Sequence, residues 1–123
     1  MNSLFKLIFI SAVVAVTINA KAVSPNDFEK VANQSGLVVI ELWAPWCGNC
    51  SVFKPTYNSV KKKLSNSVKF YEINGDGVDD PFTKFGIQYG YPSVLLYKDG
   101  TRVGTKEGGM SYEEMISWIN QYK

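Results

Sequence analysis

The sequence has no histidine and only two cysteines among its 123 residues. The missing histidine removes imidazole ligands and every histidine-based acid–base mechanism. With two cysteines, half a zinc site is the most the chain offers, and carboxylates or a second chain would have to complete it. No metal site is therefore expected. Excess charge of one sign is also scarce. A formal net charge of +2 is too weak to suggest a nucleic-acid partner, which usually meets a basic patch or stripe. Lys61, Lys62 and Lys63 form the only dense basic run, and it reads as the solvated face of a helix. No internal repeat, low-complexity segment or linker is present. The length leaves room for one domain, and a domain near ~100 residues buries enough surface to fold without staples.

An apolar run of membrane-spanning length is missing as well. The uncharged stretch from Leu7 to Ile18 falls short of the roughly 20 residues that a spanning helix needs. It follows a short start carrying Lys6 and precedes the small residues Ala20 and Ala22. This is the layout of a secretory signal. We therefore expect a signal peptide over 1–22, cleaved after Ala20 or Ala22, and a single domain over 23–123. An uncleaved membrane anchor is the alternative. No stable membrane insertion is expected once the signal is removed. The domain would then work outside the cytoplasm, where disulfides persist. A bacterial periplasm is the expected compartment, with secretion or the ER lumen as alternatives. Asn120-Gln121-Tyr122-Lys123 is not an ER-retention signal.

Ser24-Pro25 predicts a helix start, with serine as cap and proline in the first turn. Phe28, Val31 and Ala32 follow at helical spacing, and Gly36 supplies a stop. Leu37 to Trp43 is apolar and β-branched apart from Glu41, which predicts a strand buried on both faces. Gly48 to about Leu64 has helical spacing, with Val52, Phe53, Tyr57, Val60 and Leu64 on one side and Pro55 expected to kink it. Val68 to Ile73 predicts a second strand, Asn74 to Asp80 a loop, and Pro81 to Phe85 a short helix. Ser93 to Tyr97 and Thr101 to Glu107 flank Lys98-Asp99-Gly100, a hairpin signal. Ser111 with Glu114 is a capping-box pattern that opens a last helix to about Tyr122, burying Met115, Ile116 and Ile119. Strands alternating with helices, closed by a hairpin, imply an α/β fold in three layers with a mixed central sheet.

The chemistry sits in Trp43-Ala44-Pro45-Trp46-Cys47-Gly48-Asn49-Cys50. Two cysteines two residues apart fall where a buried strand hands over to a helix. Cys47 meets the unpaired N–H groups and positive end of that helix, which favour a thiolate, the reactive species. Cys50, one turn in, points back into the fold and is poised to resolve a mixed disulfide. Gly48 is expected to allow a tight turn between them. Glu41, an acid inside an apolar strand, is expected to be desolvated with a raised pKa. An edge position with a solvated carboxylate is the alternative for Glu41.

This wording resembles the thioredoxin superfamily, and its active-site phrase resembles the disulfide-isomerase branch. The resemblance runs from about Ser24 to the C-terminus. It is carried by Glu41 six residues before Cys47, the Trp-Ala-Pro-Trp lead-in, Pro55 five residues after Cys50, Tyr91-Pro92 and the Lys98-Asp99-Gly100 turn. It implies a thioredoxin fold and thiol–disulfide oxidoreductase activity on protein substrates, with a separate redox partner that recycles the pair, in a monomer. It also implies a redox-active Cys47–Cys50 disulfide, a proton-relay role for Glu41, and a cis-proline at Pro92. That proline's backbone would offer an edge to an extended client. Trp46, Gly48, Asn49, Tyr91 and Pro92 would face the substrate, and Trp43 would be core packing. The sequence departs from the pattern in three places. Asn49 stands where thioredoxins usually carry proline and disulfide isomerases histidine, which leaves the direction of electron flow open. Gly86 to Pro92 is one residue longer than usual, and the first strand is short or absent. The rival readings are a metal site, a structural disulfide, and a non-catalytic binding module or holdase on the same scaffold.

Overall fold

The computed structural model describes residues 20–123. The signal-peptide reading therefore falls mostly outside the described residues, and only its last positions are seen. Five strands form one sheet in the order β1-β3-β2-β4-β5. These are β1 (Lys21–Val23), β2 (Leu37–Trp43), β3 (Val68–Asn74), β4 (Ser93–Lys98) and β5 (Thr101–Glu107). Among the described residues, four α-helices connect and cover them: α1 (Phe28–Ala32), α2 (Gly48–Leu64), α3 (Pro81–Phe85) and α4 (Tyr112–Asn120). β1, β3 and β2 run parallel, and β4 and β5 close the sheet antiparallel. The expected mixed sheet between helical layers is what the chain forms. The first strand is present as three residues, with Lys21, Ala22 and Val23 opposite Tyr71, Glu72 and Ile73.

Side chains alternate across a strand, so β2 feeds two cores. Val38, Ile40 and Leu42 pack with Phe28, Val31 and Phe85 from α1 and α3. Leu37 and Val39 pack with Phe53, Tyr57, Met115 and Ile119 from α2 and α4. Burying each such side chain contributes about 1.5–3 kcal/mol, which anchors β2 as the centre of the sheet. Glu41 and Trp43 continue the second row. In β3, Val68 and Phe70 lie on that same face, and Glu72 follows them in register opposite Glu41. Two carboxylates thus lie side by side beneath the start of α2.

Local signals explain most boundaries. Ser24 Oγ accepts from Asn26 N–H, although a 3₁₀ turn over Pro25–Asp27 comes before α1. Ser111 Oγ accepts from Glu114 N–H at 3.1 Å and opens α4. Asp99 and Gly100 both take positive φ (50° and 84°) in the β4–β5 turn. α2 runs on through Pro55, whose missing N–H frees the carbonyl of Ser51.

Four expectations are corrected. α1 stops at Ala32, short of Gly36, which instead turns the chain into β2. Val52 is 78% exposed, on the outer side of α2, because the buried row there is Cys50, Phe53, Tyr57, Val60 and Leu64. Lys61 is buried in that same row and donates to Asn58 Oδ1 at 3.3 Å, so only Lys62 and Lys63 form a solvated face. Ile116 is only half-buried, and Trp118 takes the inward position with Met115 and Ile119.

Candidate active site

The site forms where β2 gives way to α2. Cys47 is the N-cap of α2, with an extended backbone, and its Sγ accepts from Cys50 N–H at 3.2 Å. An oxygen side chain usually fills this role. A sulfur there receives both an N–H group and the positive end of the helix, which stabilise it as a thiolate once reduced. Cys50 lies one turn in. The two are joined as a disulfide with Cα atoms 5.3 Å apart. Both are nearly buried against Ala44, with Trp43 and Tyr91 packed over them.

Gly48 lies at the surface beside the pair. Its backbone is not in the positive-φ region, and an added Cβ would meet nothing within 4 Å. The tight-turn reason for glycine is therefore corrected: the missing side chain leaves the approach to Cys47 open. Asn49 lies on a different groove from Trp46 and Tyr91. It lines a groove of about 270 Å³ with Val52, Phe53 and Met110, between α2 and the start of α4.

Glu41 is 2% exposed, so the solvated-edge alternative does not hold. It lines a small cavity of about 60 Å³ together with Trp43, Cys50 and Lys54. That space is large enough for a water molecule. Burial pushes the Glu41 carboxyl up to about 8, and the negative charge of Glu72 adds to the rise. Lys54 offsets part of it. Near neutral pH, Glu41 is thus mostly a neutral acid. Lys54 Nζ lies 3.8 Å from Glu72 Oε1 and 5.3 Å from the centre of the Trp43 ring. Trp43 is accordingly half-buried at the cavity wall, which corrects the expectation of simple core packing.

Across the disulfide, the Tyr91–Pro92 bond is cis. Trp46 is 69% exposed, with its indole N–H donating to Asp76 Oδ1 at 3.0 Å and its ring 5.9 Å from that of Tyr91. The Tyr91 hydroxyl donates to the Gly75 carbonyl at 3.2 Å. The Pro92 carbonyl accepts from Gly108 N–H at 2.8 Å. Proline has no N–H of its own, so Tyr91 is the residue whose backbone suits an incoming strand.

The structure thus gathers Cys47, Cys50, Glu41, Trp46, Tyr91 and Pro92 and sets Asn49 apart. Reading the sequence alone missed Lys54, Glu72, Gly75 and Asp76. Glu72 looks like any polar position in an alternating strand, and only the β2–β3 register places it beside Glu41. Gly75 matters through close approach, since a Cβ there would run into the Tyr91 hydroxyl and ring. Gly75→Ala is expected to swing Tyr91 off the cysteine pair. Overpacking of this kind costs about 1–3 kcal/mol. Thermal unfolding should show that loss, and steady-state kinetics a raised KM for protein substrates.

Residues 19–121 match the family model described as Thioredoxin. A thioredoxin of Rickettsia felis is 31% identical over 103 residues, covering 83% of this chain and 97% of the relative. Protein disulfide-isomerase A3 of Gallus gallus is 30% identical over 99 residues, covering 80% of this chain and 19% of that much longer protein. Among solved structures, the thioredoxin of Malassezia sympodialis (Mala s 13) superposes with a TM-score of 0.73 at 24% identity, covering 85% of this chain and 91% of its own. That last likeness speaks to the fold alone. The disulfide at the head of α2 and the family match over nearly all described residues agree: the chain belongs to the thioredoxin family and is a thiol–disulfide oxidoreductase.

Proposed function

We propose that this protein exchanges disulfides with protein substrates outside the cytoplasm, through Cys47 and Cys50. The observation that carries the reading is the cavity that Cys50 shares with the buried, proton-bearing Glu41. In the reducing direction, the Cys47 thiolate attacks one sulfur of a client disulfide and the other client sulfur leaves as a thiolate. Cys50 then loses its proton to Glu41 in its ionised form, a minority near neutral pH that grows toward pH 8, and attacks Cys47. The second client thiolate leaves, the Cys47–Cys50 bond forms, and two electrons have passed to the client. The proton held by Glu41 passes through the cavity to solvent or to the leaving thiolate. Oxidation of a client runs through the same steps in reverse. A separate redox protein of the host resets the pair.

Trp46 and Tyr91 hold the client beside Cys47, Gly48 leaves the approach open, and Pro92 fixes the Tyr91 backbone for strand-like pairing. Asn49 touches parts of the client that reach the groove near Met110. The protein acts as a monomer and needs no metal or organic cofactor.

Residues 1–20 serve as a cleaved signal, and a bacterial periplasm is the compartment. Cleavage after Ala20 leaves β1 whole, whereas cleavage after Ala22 would remove Lys21 and Ala22 from their pairing with β3. Expression of the full chain in a Gram-negative host, fractionation and intact-mass measurement test this. The account expects periplasmic protein beginning at Lys21. Full-length protein held in the cytoplasm would overturn the export reading.

A further inference from the structure

Glu107 ends β5, and its carboxylate is committed to the loop that leads into Pro92. Oε1 accepts from Tyr89 N–H at 2.7 Å and from Gly90 N–H at 3.2 Å, and Oε2 accepts from Gln88 N–H at 2.9 Å. The Ser93 hydroxyl lies 3.5 Å from Oε1 and donates to the Gly90 carbonyl. Three successive backbone N–H groups turned toward one carboxylate form an anion nest closed by the protein's own side chain. Burial alone would raise the Glu107 carboxyl, but these donors together hold it below its ordinary value, so it stays ionised and the bonds stay charge-assisted.

The loop carries Tyr89, which is 83% exposed. Tyr89 and Tyr91 line a groove of about 400 Å³ with Trp46, Asp76 and Phe82. The groove adjoins the redox pair through Tyr91, which also packs against the cluster of Ala44, Cys47 and Cys50. Phe82 is 46% exposed on the opposite side. Large exposed aromatic side chains beside a reactive centre mark a surface that holds an apolar partner.

We propose that Glu107 is a positioning residue that clamps the Gln88–Gly90 loop as one wall of a client groove. The groove selects extended polypeptides that carry a large apolar or aromatic side chain near the reacting cysteine. This inference rests on the oxidoreductase reading above. It separates two parts of substrate handling: the cysteine pair performs exchange on any accessible disulfide, and the clamped loop adds grip on a polypeptide.

The test compares insulin with hydroxyethyl disulfide as substrates, using the mature chain as wild type, Glu107→Ala, Glu107→Gln and Tyr89→Ala. Glu107→Ala is expected to raise KM for insulin about tenfold, through loss of three charge-assisted bonds. The rise for hydroxyethyl disulfide should be much smaller, and kcat should move less than KM. Amide hydrogen exchange at Gln88, Tyr89 and Gly90 should accelerate in the same variant. Glu107→Gln keeps one carbonyl acceptor and should fall between wild type and alanine, and it serves if the alanine variant does not fold. Tyr89→Ala should raise KM for insulin without speeding exchange at Gln88 and Gly90. Unchanged amide exchange in both Glu107 variants, or equal KM changes for the two substrates, would overturn the proposal. So would insulin binding in Tyr89→Ala as tight as in wild type. A wild type that turns over neither substrate would instead remove the oxidoreductase reading, and this inference with it.

Discussion

Cys47→Ser abolishes disulfide exchange with protein substrates and leaves a folded protein. The first half follows from the chemistry of the nucleophile. Sulfur at the N-cap of α2 is stabilised as a thiolate by the Cys50 N–H and the helix dipole, whereas a serine hydroxyl there stays protonated and does not attack a disulfide. The second half follows from the size of the ring that the disulfide closes. The cysteines are three positions apart. In the chain-entropy picture, so small a loop contributes about 2 kcal/mol. The two cores on either face of β2 do not depend on it. Insulin reduction and thermal unfolding of the same sample check both halves. Cys50→Ser should give the complementary result, a mixed disulfide with client that accumulates because nothing resolves it. A purely structural bridge predicts the opposite pattern, with stability lost and no activity to lose. A holdase predicts client binding that survives Cys47→Ser, with no trapped species in Cys50→Ser.

Glu41→Leu makes the protein more stable and slower. In the folded state the Glu41 carboxyl is held at about 8 by burial and by Glu72, against an ordinary value of 4.5. Below pH 4.5 the group is protonated in both folded and unfolded chains, and its burial carries no titration penalty. As pH rises from 4.5 toward 8 the unfolded chain releases the proton and the folded chain keeps it. Native stability falls steadily across that window and levels off above it. At pH 7 the penalty is on the order of 3 kcal/mol, at about 1.4 kcal/mol per pH unit. Leucine fits an apolar strand and removes the penalty. Denaturant unfolding should therefore show the variant ahead at pH 7 and level with wild type, apart from packing differences, near pH 4. Exchange should slow by up to about 10²-fold, since Cys50 loses its proton acceptor but keeps water. The inflection near pH 8 in the rate of mixed-disulfide resolution should vanish. Equal stability at pH 7 would mean that the carboxyl is not desolvated. An unchanged rate would remove the relay role.

Much of this was legible in the sequence because local signals and global packing agreed. The apolar run of β2, the Asp99-Gly100 turn, the Ser111 cap and the Cys-Gly-Asn-Cys placement each depend on neighbours in sequence. The acid at Glu41 was legible for a related reason, since a carboxylate within an apolar run stands out. What stayed hidden depends on register and on long-range contact. Val52 and Lys61 exchanged their expected environments because helix phase, not residue type, decides which row faces the sheet. Glu72 joins Glu41 only through parallel pairing of β2 with β3. Lys54 joins them from a helix thirteen positions after Glu41. Glu107 reaches the loop before Pro92 only because the β4–β5 hairpin folds its last residue back beside the first residue of β4. Nothing in the local sequence around Glu107 marks it as other than a surface acid.

The most direct test of the central claim is the reduction potential of the Cys47–Cys50 couple, read by equilibrating the protein in graded thiol–disulfide buffers. The account predicts a reversible two-electron couple with a midpoint between about −270 and −120 mV, the range of thioredoxins, disulfide isomerases and disulfide donors. The lower end would assign net reduction of clients and the upper end net donation of disulfides. A bridge that resists reduction below about −300 mV would match a structural disulfide and contradict the account.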